Sequence, residues 1–182
     1  MGTFIALLRG VNVGGHNRLP MADLRASLER AGFDRVATYI QSGNVVLTAP
    51  SCDPGRIGAI IADDFGLDIP VVVRTADELR ATVEANPFPE MASEPERLHV
   101  FFCPGPVPSQ ALDAFDHAAH HPDRLATGDN EIYVAYHEGM GTSKLTCAVV
   151  DRLVGAPTTA RNWTTVRKLV DLAAADAADA PS

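Results

Sequence analysis

The order of strand and helix patterns in this sequence predicts an α+β fold made of two halves. Three observations support the prediction: short apolar runs that end in glycine loops, apolar residues at helical spacing, and breaker-rich segments between them. In the first half the order is strand, helix, strand, strand, helix, strand, which is the split βαβ or ferredoxin-like unit. Two helices are then expected on one face of an antiparallel or mixed four-stranded sheet.

The elements of the first half follow from β-branched runs and from residues that start and stop helices. Pro20 suits the first turn of a helix and Gly32 its end, while Asp53 or Ser51 suits the N-cap of the next helix. Residues 41–44 interrupt a β-branched run, so a hairpin turn is predicted there. Strands are predicted at 3–8, 34–41, 45–48 and 69–75, and helices at 21–31, 53–65 and 76–85.

The second half follows residues 89–97, an acidic and breaker-rich stretch that marks an internal boundary. Its strands are predicted at 98–103, 124–126 and 131–136, and its helices at 109–121, 146–153 and 163–174. Residues 158–162 are predicted to be a polar link, so this half ends in a helix where the first ends in a strand. The predicted subdomains are 1–86 and 87–172, with 173–182 as a disordered or fraying tail.

Composition restricts the possible classes of protein. An apolar fraction of 46% excludes a disordered chain, and no apolar run approaches the roughly 20 residues that span a bilayer. The start of the chain lacks a signal-peptide pattern, so a cytoplasmic location is expected by default. A net charge of −8 argues against binding to duplex nucleic acid. Cys52, Cys103 and Cys147 are widely spaced and odd in number, which predicts free thiols.

Four motifs together carry a family resemblance. Residues 8–15 (LRGVNVGG), 39–46 (YIQSGNVV), 143–145 (SKL) and 159–163 (TARNW) occur in that order. In this combination the chain resembles the bacterial family labelled domain of unknown function 1697, over nearly its whole length. The resemblance implies a cytoplasmic α+β protein with two ferredoxin-like-related subdomains, and it implies no activity. The family commonly has a lysine where this chain has His16, which replaces a permanent cation by a titratable one.

The first predicted binding site lies where strand 1 ends. If strand 3 begins at Asn44 and runs antiparallel beside strand 1, the glycine loop and the hairpin turn share one edge of the sheet. A guanidinium, amides and glycine N–H groups would then converge, and such donors suit a phosphate or carboxylate. The candidate residues here are Arg9, Asn12, Gly14, Gly15, His16, Gln41, Ser42 and Asn44.

The same residues also have purely structural explanations. Asn12 can form an Asx turn, and Gly14 and Gly15 can supply a positive φ. Arg9 can pair with a carboxylate of its own domain. Residues 41–44 form a good hairpin turn with no ligand. The recurrence of glycine-bearing polar loops in both halves favours the binding site.

The second predicted site combines Ser143, Lys144, Arg161 and Asn162. Thr142 or Ser143 is expected to N-cap the next helix, with Lys144 in its first turn. A cation beside a positive helix end is easier to explain if an anion binds between them. Arg161 is expected to bind a phosphate or carboxylate. The structural alternatives are a solvated Lys144, a cap at Thr159 or Asn162 and a packing role for Trp163, the last of which is favoured.

No reaction chemistry is evident in the sequence. His117, His120 and His121 can place two imidazoles on one helix face, but no metal partners are evident, and neither a metal nor a cofactor is expected. His16 is a titratable group in the main loop, yet no catalytic residue is assigned and enzyme activity is left undecided.

The leading functional hypothesis is a binder of an anionic small molecule or nucleotide-like ligand. It places Arg9, Lys144 and Arg161 around one shared cavity. The alternative is an RNA- or protein-binding module that uses an open ferredoxin-like sheet without catalysis. The oligomeric state is not predicted.

Overall fold

The computed structural model describes residues 1–178, and the chain divides into two compact units. Unit 1 comprises residues 1–80 together with the chain from Lys168 onward, and unit 2 comprises residues 81–167. Each unit contains one four-stranded antiparallel sheet, and both sheets have the same strand order. The predicted α+β class is therefore confirmed, and each unit has the split βαβ arrangement.

Unit 1 follows the predicted element order closely. Its first six elements are β1 (Gly2–Leu8), α1 (Met21–Arg30), β2 (Asp34–Tyr39), β3 (Asn44–Ala49), α2 (Pro54–Phe65) and β4 (Val71–Thr75), followed by α3 (Ala76–Glu84). The sheet order is β2-β3-β1-β4. Asp53 accepts a hydrogen bond from the Gly55 N–H at 3.0 Å and caps α2, and Gly66 ends that helix at φ +66°. The predicted start and stop signals of this helix are thus confirmed.

The core of unit 1 lies between its sheet and helices α1 and α2. Leu24 and Leu28 of α1 and Ile57 and Ile61 of α2 are fully buried in one cluster with Leu47 and other residues of the sheet. Each such side chain stabilises the fold by about 1.5–3 kcal/mol relative to an exposed position. This packing holds the ends of β1 and β3 in place, where the first predicted site lies.

Unit 2 has the same layout, with one strand that the sequence analysis missed. Its elements are β5 (Leu98–Phe102), α4 (His117–His120), β6 (Arg124–Thr127), β7 (Glu131–Ala135), α5 (Cys147–Val154) and β8 (Thr159–Asn162), followed by α6 (Trp163–Ala178). The sheet order is β6-β7-β5-β8. The predicted polar link at 158–162 is wrong, because residues 159–162 pair with β5 as an edge strand. Because most residues of this strand are polar, a search for apolar runs does not detect it.

The predicted helix at 109–121 is also wrong. A single short helix, α4, occupies its end, and the preceding residues form turns. Asp116 accepts a hydrogen bond from the Ala119 N–H at 3.0 Å, so its carboxylate begins a new helix there. An aspartate carboxylate within a helical pattern competes with backbone carbonyls for nearby N–H groups, and here it interrupts the longer helix.

Residues 173–178 are not a frayed tail. They continue α6, in which Ala173 is buried and Asp176 accepts hydrogen bonds from the hydroxyls of Thr3 at 3.0 Å and Thr48 at 2.7 Å. Asp176 also pairs with Arg35 at 2.7 Å. These contacts tie the C-terminal part of α6 to the sheet of unit 1. Residues 179–182 of the predicted tail lie outside the described residues.

The division between the units falls inside α3 and α6 and differs from the predicted boundaries at 86 and 172. The Tyr133 hydroxyl donates to the Thr82 carbonyl at 2.7 Å, which joins the second part of α3 to the sheet of unit 2. Helices α3 and α6 also begin with the same capping pattern, in which the residue before the helix accepts a hydrogen bond from the N–H of the third helical residue. The Thr75 hydroxyl accepts from the Glu78 N–H at 3.1 Å, and the Asn162 amide oxygen accepts from the Thr165 N–H at 2.9 Å.

Candidate functional site

The loop after β1 and the turn before β3 lie side by side in unit 1, as the sequence analysis predicted. Leu7 pairs with Asn44, so β3 begins where β1 ends. The Leu8 N–H donates to the Gly43 carbonyl at 2.8 Å, and the Asn12 amide donates to the Gln41 carbonyl at 2.8 Å. The first predicted site is therefore one contiguous edge of the sheet.

Two amides of this edge serve the fold. The amide nitrogen of Asn12 donates to the carbonyls of Leu19 and Gln41, and its oxygen accepts from the Leu19 N–H at 2.9 Å. Asn44 is fully buried and donates to the Tyr39 carbonyl and the Ser42 hydroxyl. Both side chains are therefore committed to the loops, and contact of Asn12 and Asn44 with a ligand stays a prediction.

The glycines of the loop form a tight hairpin tip. Gly14 and Gly15 have φ values of +59° and +78°, and His16 donates its N–H to the Val13 carbonyl at 3.1 Å. Two central residues with positive φ are typical of a type I′ turn. The structural explanation of Gly14 and Gly15 is thus correct. The side chain of His16 is exposed at the tip.

The remaining candidates of unit 1 lie in the loop after β1 and in the turn before β3. Gln41 is exposed, Ser42 and Arg9 are half-buried, and the Arg9 N–H donates to the Pro70 carbonyl at 3.0 Å. Gly43 permits a close backbone approach, because a Cβ there would lie 2.4 Å from Val11 Cγ2. The lack of space beside Gly43 explains why no larger residue fits there, which the sequence motif alone does not show.

Ser143 and Lys144 lie in the loop between β7 and α5 of unit 2. The helix begins at Cys147 with Thr146 as its N-cap residue, so the prediction that Lys144 occupies the first turn is wrong. The reason is local: the Ser143 hydroxyl accepts from the Leu145 N–H at 2.8 Å and holds the chain in a turn before the helix starts. Lys144 is exposed.

Asp123 organises this loop, although no local pattern in the sequence indicates that role. One carboxylate oxygen accepts from the His137 N–H at 2.8 Å, and the other accepts from the Ser143 hydroxyl. The hydroxyl hydrogen of Ser143 is thereby committed to Asp123. Ser143 therefore positions the loop, and its contact with a ligand stays a prediction.

A cleft opens beside this network, and we call it the histidine cleft. Its volume is about 290 Å³. Three imidazoles, one ammonium group and two carboxylates line it, together with backbone and the Ser143 loop. These charged and titratable residues are His120, His121, His137, Lys144, Asp123 and Glu138. Ser143 and Lys144 are the residues of this wall that were predicted to bind a ligand, whereas His120 and His121 were considered only as metal ligands. Residues 120–123 and 137–138 meet through the pairing of β6 with β7, which local patterns do not reveal.

Arg161 and Asn162 do not line the histidine cleft. Arg161 pairs with Val100 and Asn162 with His99, so their side chains leave opposite faces of the sheet. The Arg161 guanidinium is buried and donates to the Thr159 hydroxyl and the Ala160 carbonyl at 2.8 Å each. Burial lowers the pKa of Arg161 to about 10. Arg161 and Lys144 thus do not share this cleft. A cavity shared with Arg9 stays a prediction.

The structural alternatives hold at the start of α6. Asn162 is the cap of that helix, and Trp163 is buried. The three cysteines are free thiols, as predicted. Within residues 1–178, no group of three or more His, Cys, Asp or Glu side chains is arranged to hold a metal ion. His117 and His120 instead pack their rings against Phe115.

His99 is a further histidine and was not among the predicted site residues. It lies within the apolar strand β5, and its ring meets Tyr136 edge-on with centroids 5.3 Å apart. Its Nδ1 is buried without a hydrogen-bond partner among the described residues. Burial lowers the pKa of His99 to about 4. A polar residue inside an apolar run was the available signal.

Comparison with known proteins identifies the family. The family model described as "Protein of unknown function (DUF1697)" matches residues 1–133. The chain belongs to this family. It is also similar in structure to the conserved bacterial protein SP0830 from Streptococcus pneumoniae, with a TM-score of 0.72 and 20% identity over 94% of this chain and 98% of that one. That likeness concerns the fold alone. No curated protein matches the chain.

In this DUF1697 protein the sheets are covered at their centres. On the face of the first sheet opposite α1 and α2, Ile5 and Leu7 are fully buried. On the Arg161 face of the second sheet, Val100 and Phe102 are fully buried. These four positions offer no exposed surface on which bases could stack, and the RNA- or protein-binding alternative stays a prediction. Among the helices of residues 1–178, none has the length and apolar character needed to cross a membrane.

Proposed function

We propose that unit 2 binds a small molecule carrying a phosphate or carboxylate in the histidine cleft. The observation that carries the proposal is the position of Lys144 in a concave site beside three imidazoles. Ligand sites are typically concave and contain a few convergent polar groups. Here those groups combine hydrogen-bond donors with positive charge, which suits an anion.

The absence of an ion pair at Lys144 within residues 1–178 supports this ligand class. Lys144 is exposed and makes no ion pair with another described residue. The carboxylate of Asp123 also lines the cleft, but it already accepts the His137 N–H and the Ser143 hydroxyl. Each of its two oxygens therefore already accepts a hydrogen bond from a residue of the cleft. Glu138 is the second carboxylate and lies on the exposed rim.

Asp123 also supports the proposal through rigidity. A binding site gains affinity when its groups are held in place before the ligand arrives, because less conformational entropy is then lost. Asp123 joins the start of β6 to the loops that carry His137 and Ser143. The Tyr136 hydroxyl donates to the Leu145 carbonyl at 2.9 Å and braces the same loop from below.

The experiment is a comparison of the two lysines of the chain, Lys144 and Lys168. Affinities for inorganic phosphate, ribose 5-phosphate and a mononucleotide are measured by calorimetry for the wild type, Lys144→Ala and Lys168→Ala. Loss of a charged hydrogen bond costs about 1.5–3 kcal/mol, so Lys144→Ala is expected to weaken binding roughly 10- to 150-fold. Lys168→Ala, which removes an exposed lysine of unit 1, is expected to bind as wild type.

Chemical labelling gives an independent readout. The side chains of the two lysines are acylated with and without ligand and the products are measured by mass spectrometry. Of the two, Lys144 alone is expected to be protected when ligand is present. If no organic anion stabilises the protein more than inorganic phosphate does, or if Lys168→Ala weakens binding as much as Lys144→Ala, the proposal is wrong.

The edge of unit 1 is a second place for the same ligand class. The loop after β1 carries exposed His16 and half-buried Arg9, and the neighbouring turn before β3 carries exposed Gln41 and half-buried Ser42. The expected result is that Arg9→Ala lowers affinity for the same anions, while Arg25→Ala, which removes an exposed arginine of α1, does not. Unchanged affinity in Arg9→Ala would remove unit 1 from the proposal.

A further inference from the structure

A second cavity lies against the histidine cleft, and we call it the apolar cavity. It has a volume of about 460 Å³. Carbon-rich side chains from α5 and from the turns before α4 supply most of its wall. These are Pro108, Ala111, Ala114, Phe115, Val149 and Leu153. Its volume lies within the range of about 300–1,000 Å³ that is typical of small-molecule sites.

His120 belongs to the walls of both cavities. Its ring stacks on Phe115, with centroids 5.0 Å apart and planes 15° apart. Its Nδ1 is buried and has no hydrogen-bond partner among the described residues. An imidazole that lines both cavities and packs on an aromatic ring is suited to the boundary between an apolar and a polar part of one ligand.

The charges of the apolar cavity fit the same class of ligand. Arg152, in the last turn of α5, adds a cation to its rim. Asp116 is the carboxylate of this wall, and it already accepts the Ala119 N–H as the cap of α4. The remaining lining is chiefly apolar.

We infer that the ligand of unit 2 is an amphipathic anion whose phosphate or carboxylate occupies the histidine cleft and whose aryl group occupies the apolar cavity. The inference rests on the proposed function and adds to it the class of ligand. His120 marks the junction between the two parts. Lys144 binds the charged end, and Phe115 and Val149 contact the ring.

The first test compares ligands that share a charged group and differ by the ring. Affinities are measured for inorganic phosphate against phenyl phosphate, and for acetate against phenylacetate. Burial of a phenyl ring is expected to make each aryl compound bind about 10- to 100-fold tighter than its parent anion. The phosphate and carboxylate pairs also distinguish which anionic group the cleft prefers.

The second test blocks the apolar cavity from an exposed position. Ala114 is exposed and lines the cavity, so Ala114→Phe fills it without a change in the buried core. In this variant phenyl phosphate is expected to bind no tighter than inorganic phosphate, whose own affinity is expected to stay unchanged. Ala118→Phe is the matched control, because Ala118 is exposed on α4 and lines neither cavity. It is expected to bind both compounds as wild type.

The outcomes separate the inference from the proposed function. If phosphate binding depends on Lys144 but phenyl phosphate binds no tighter, the amphipathic ligand is wrong and the anion site stands. If Ala114→Phe keeps the full gain from the ring, the apolar cavity is not its site and the inference is overturned. If neither compound shows binding that depends on Lys144, both proposals fail.

Discussion

Replacement of Gly43 by alanine tests how the edge that carries the first predicted site is built. Gly43 has φ +85°, and an added Cβ would lie 2.4 Å from Val11 Cγ2 and 2.8 Å from Leu8 Cβ. The Leu8 Cβ is fixed by its backbone, whose N–H donates to Gly43, and Val11 is fully buried. Neither atom can move away without a shift of β1 or the following loop.

The expected cost has two parts that a control separates. An L-residue in the left-handed region costs about 1–2 kcal/mol, and overpacking a filled site costs about 1–3 kcal/mol more. Gly32 has nearly the same φ, +86°, and an added Cβ there meets nothing within 4 Å. Gly32→Ala is therefore expected to show only the first part, whereas Gly43→Ala shows about 2–5 kcal/mol in total.

The assay is urea unfolding followed by circular dichroism, with amide hydrogen exchange to localise the loss to β1 and β3. Gly43→Ala is expected to unfold at lower urea than Gly32→Ala and to lose protection at the Leu8 amide. Equal losses of unfolding free energy in the two variants would refute the argument, because the steric part would then be absent.

Three further results are expected. Burial lowers the pKa of His99 from 6.5 to about 4, so its contribution to stability is fully present above pH 6.5 and is lost as the pH falls toward 4. That loss is about 3 kcal/mol, and His99→Phe should remove it from urea midpoints measured between pH 7 and 4. Asn12→Ala removes three hydrogen bonds and should lower the unfolding free energy by about 1–3 kcal/mol, whereas Asn17→Ala removes one exposed bond and should cost less. Burial raises the pKa of Cys52 from 9.0 to about 11, which lowers its thiolate fraction at pH 8 about 100-fold. Because a more basic thiolate is also more nucleophilic, alkylation should be about 10-fold slower than for a thiol of ordinary pKa.

Each of these results has a contrary outcome. A pH dependence in His99→Phe equal to that of the wild type would assign the acid sensitivity to other groups. Equal stability of the two asparagine variants would mean that the Asn12 amide does not clamp the loops. Alkylation of Cys52 at the rate of a small free thiol, measured by mass spectrometry, would show that its thiolate is not disfavoured by burial.

Local signals in the sequence were sufficient where a residue acts on its own neighbours. Asp53 and Gly66 delimit α2 because a carboxylate can cap the nearest free N–H groups and glycine can adopt a positive φ. Such effects reach only a few residues along the chain. The same locality explains why the hairpin turn at 41–44 and the α+β class were predicted correctly.

Local signals failed where a distant partner decides the conformation. The strand β8 contains mostly polar residues, and it is a strand because β5 supplies its backbone hydrogen bonds. The buried Arg161 guanidinium donates hydrogen bonds to the Thr159 hydroxyl and the Ala160 carbonyl, so its burial is tolerated. Helical spacing at 109–121 did not reveal that Asp116 starts a separate turn. In the candidate site, Asp123 and His137 were missed because they meet Ser143 only after β6 and β7 pair.

The amino-acid sequence by itself determined the class of fold, the order of most elements and the presence of polar loops where strands end. Those properties depend on side-chain polarity and backbone preference over a few neighbouring residues. Only the tertiary structure decided which polar groups are committed to the fold, as with Asn12 and Ser143, and which remain at a cleft, as with Lys144. The reason is that a hydrogen bond or a buried charge is set by its partner in space, and pairing of strands brings together partners that lie far apart in the chain.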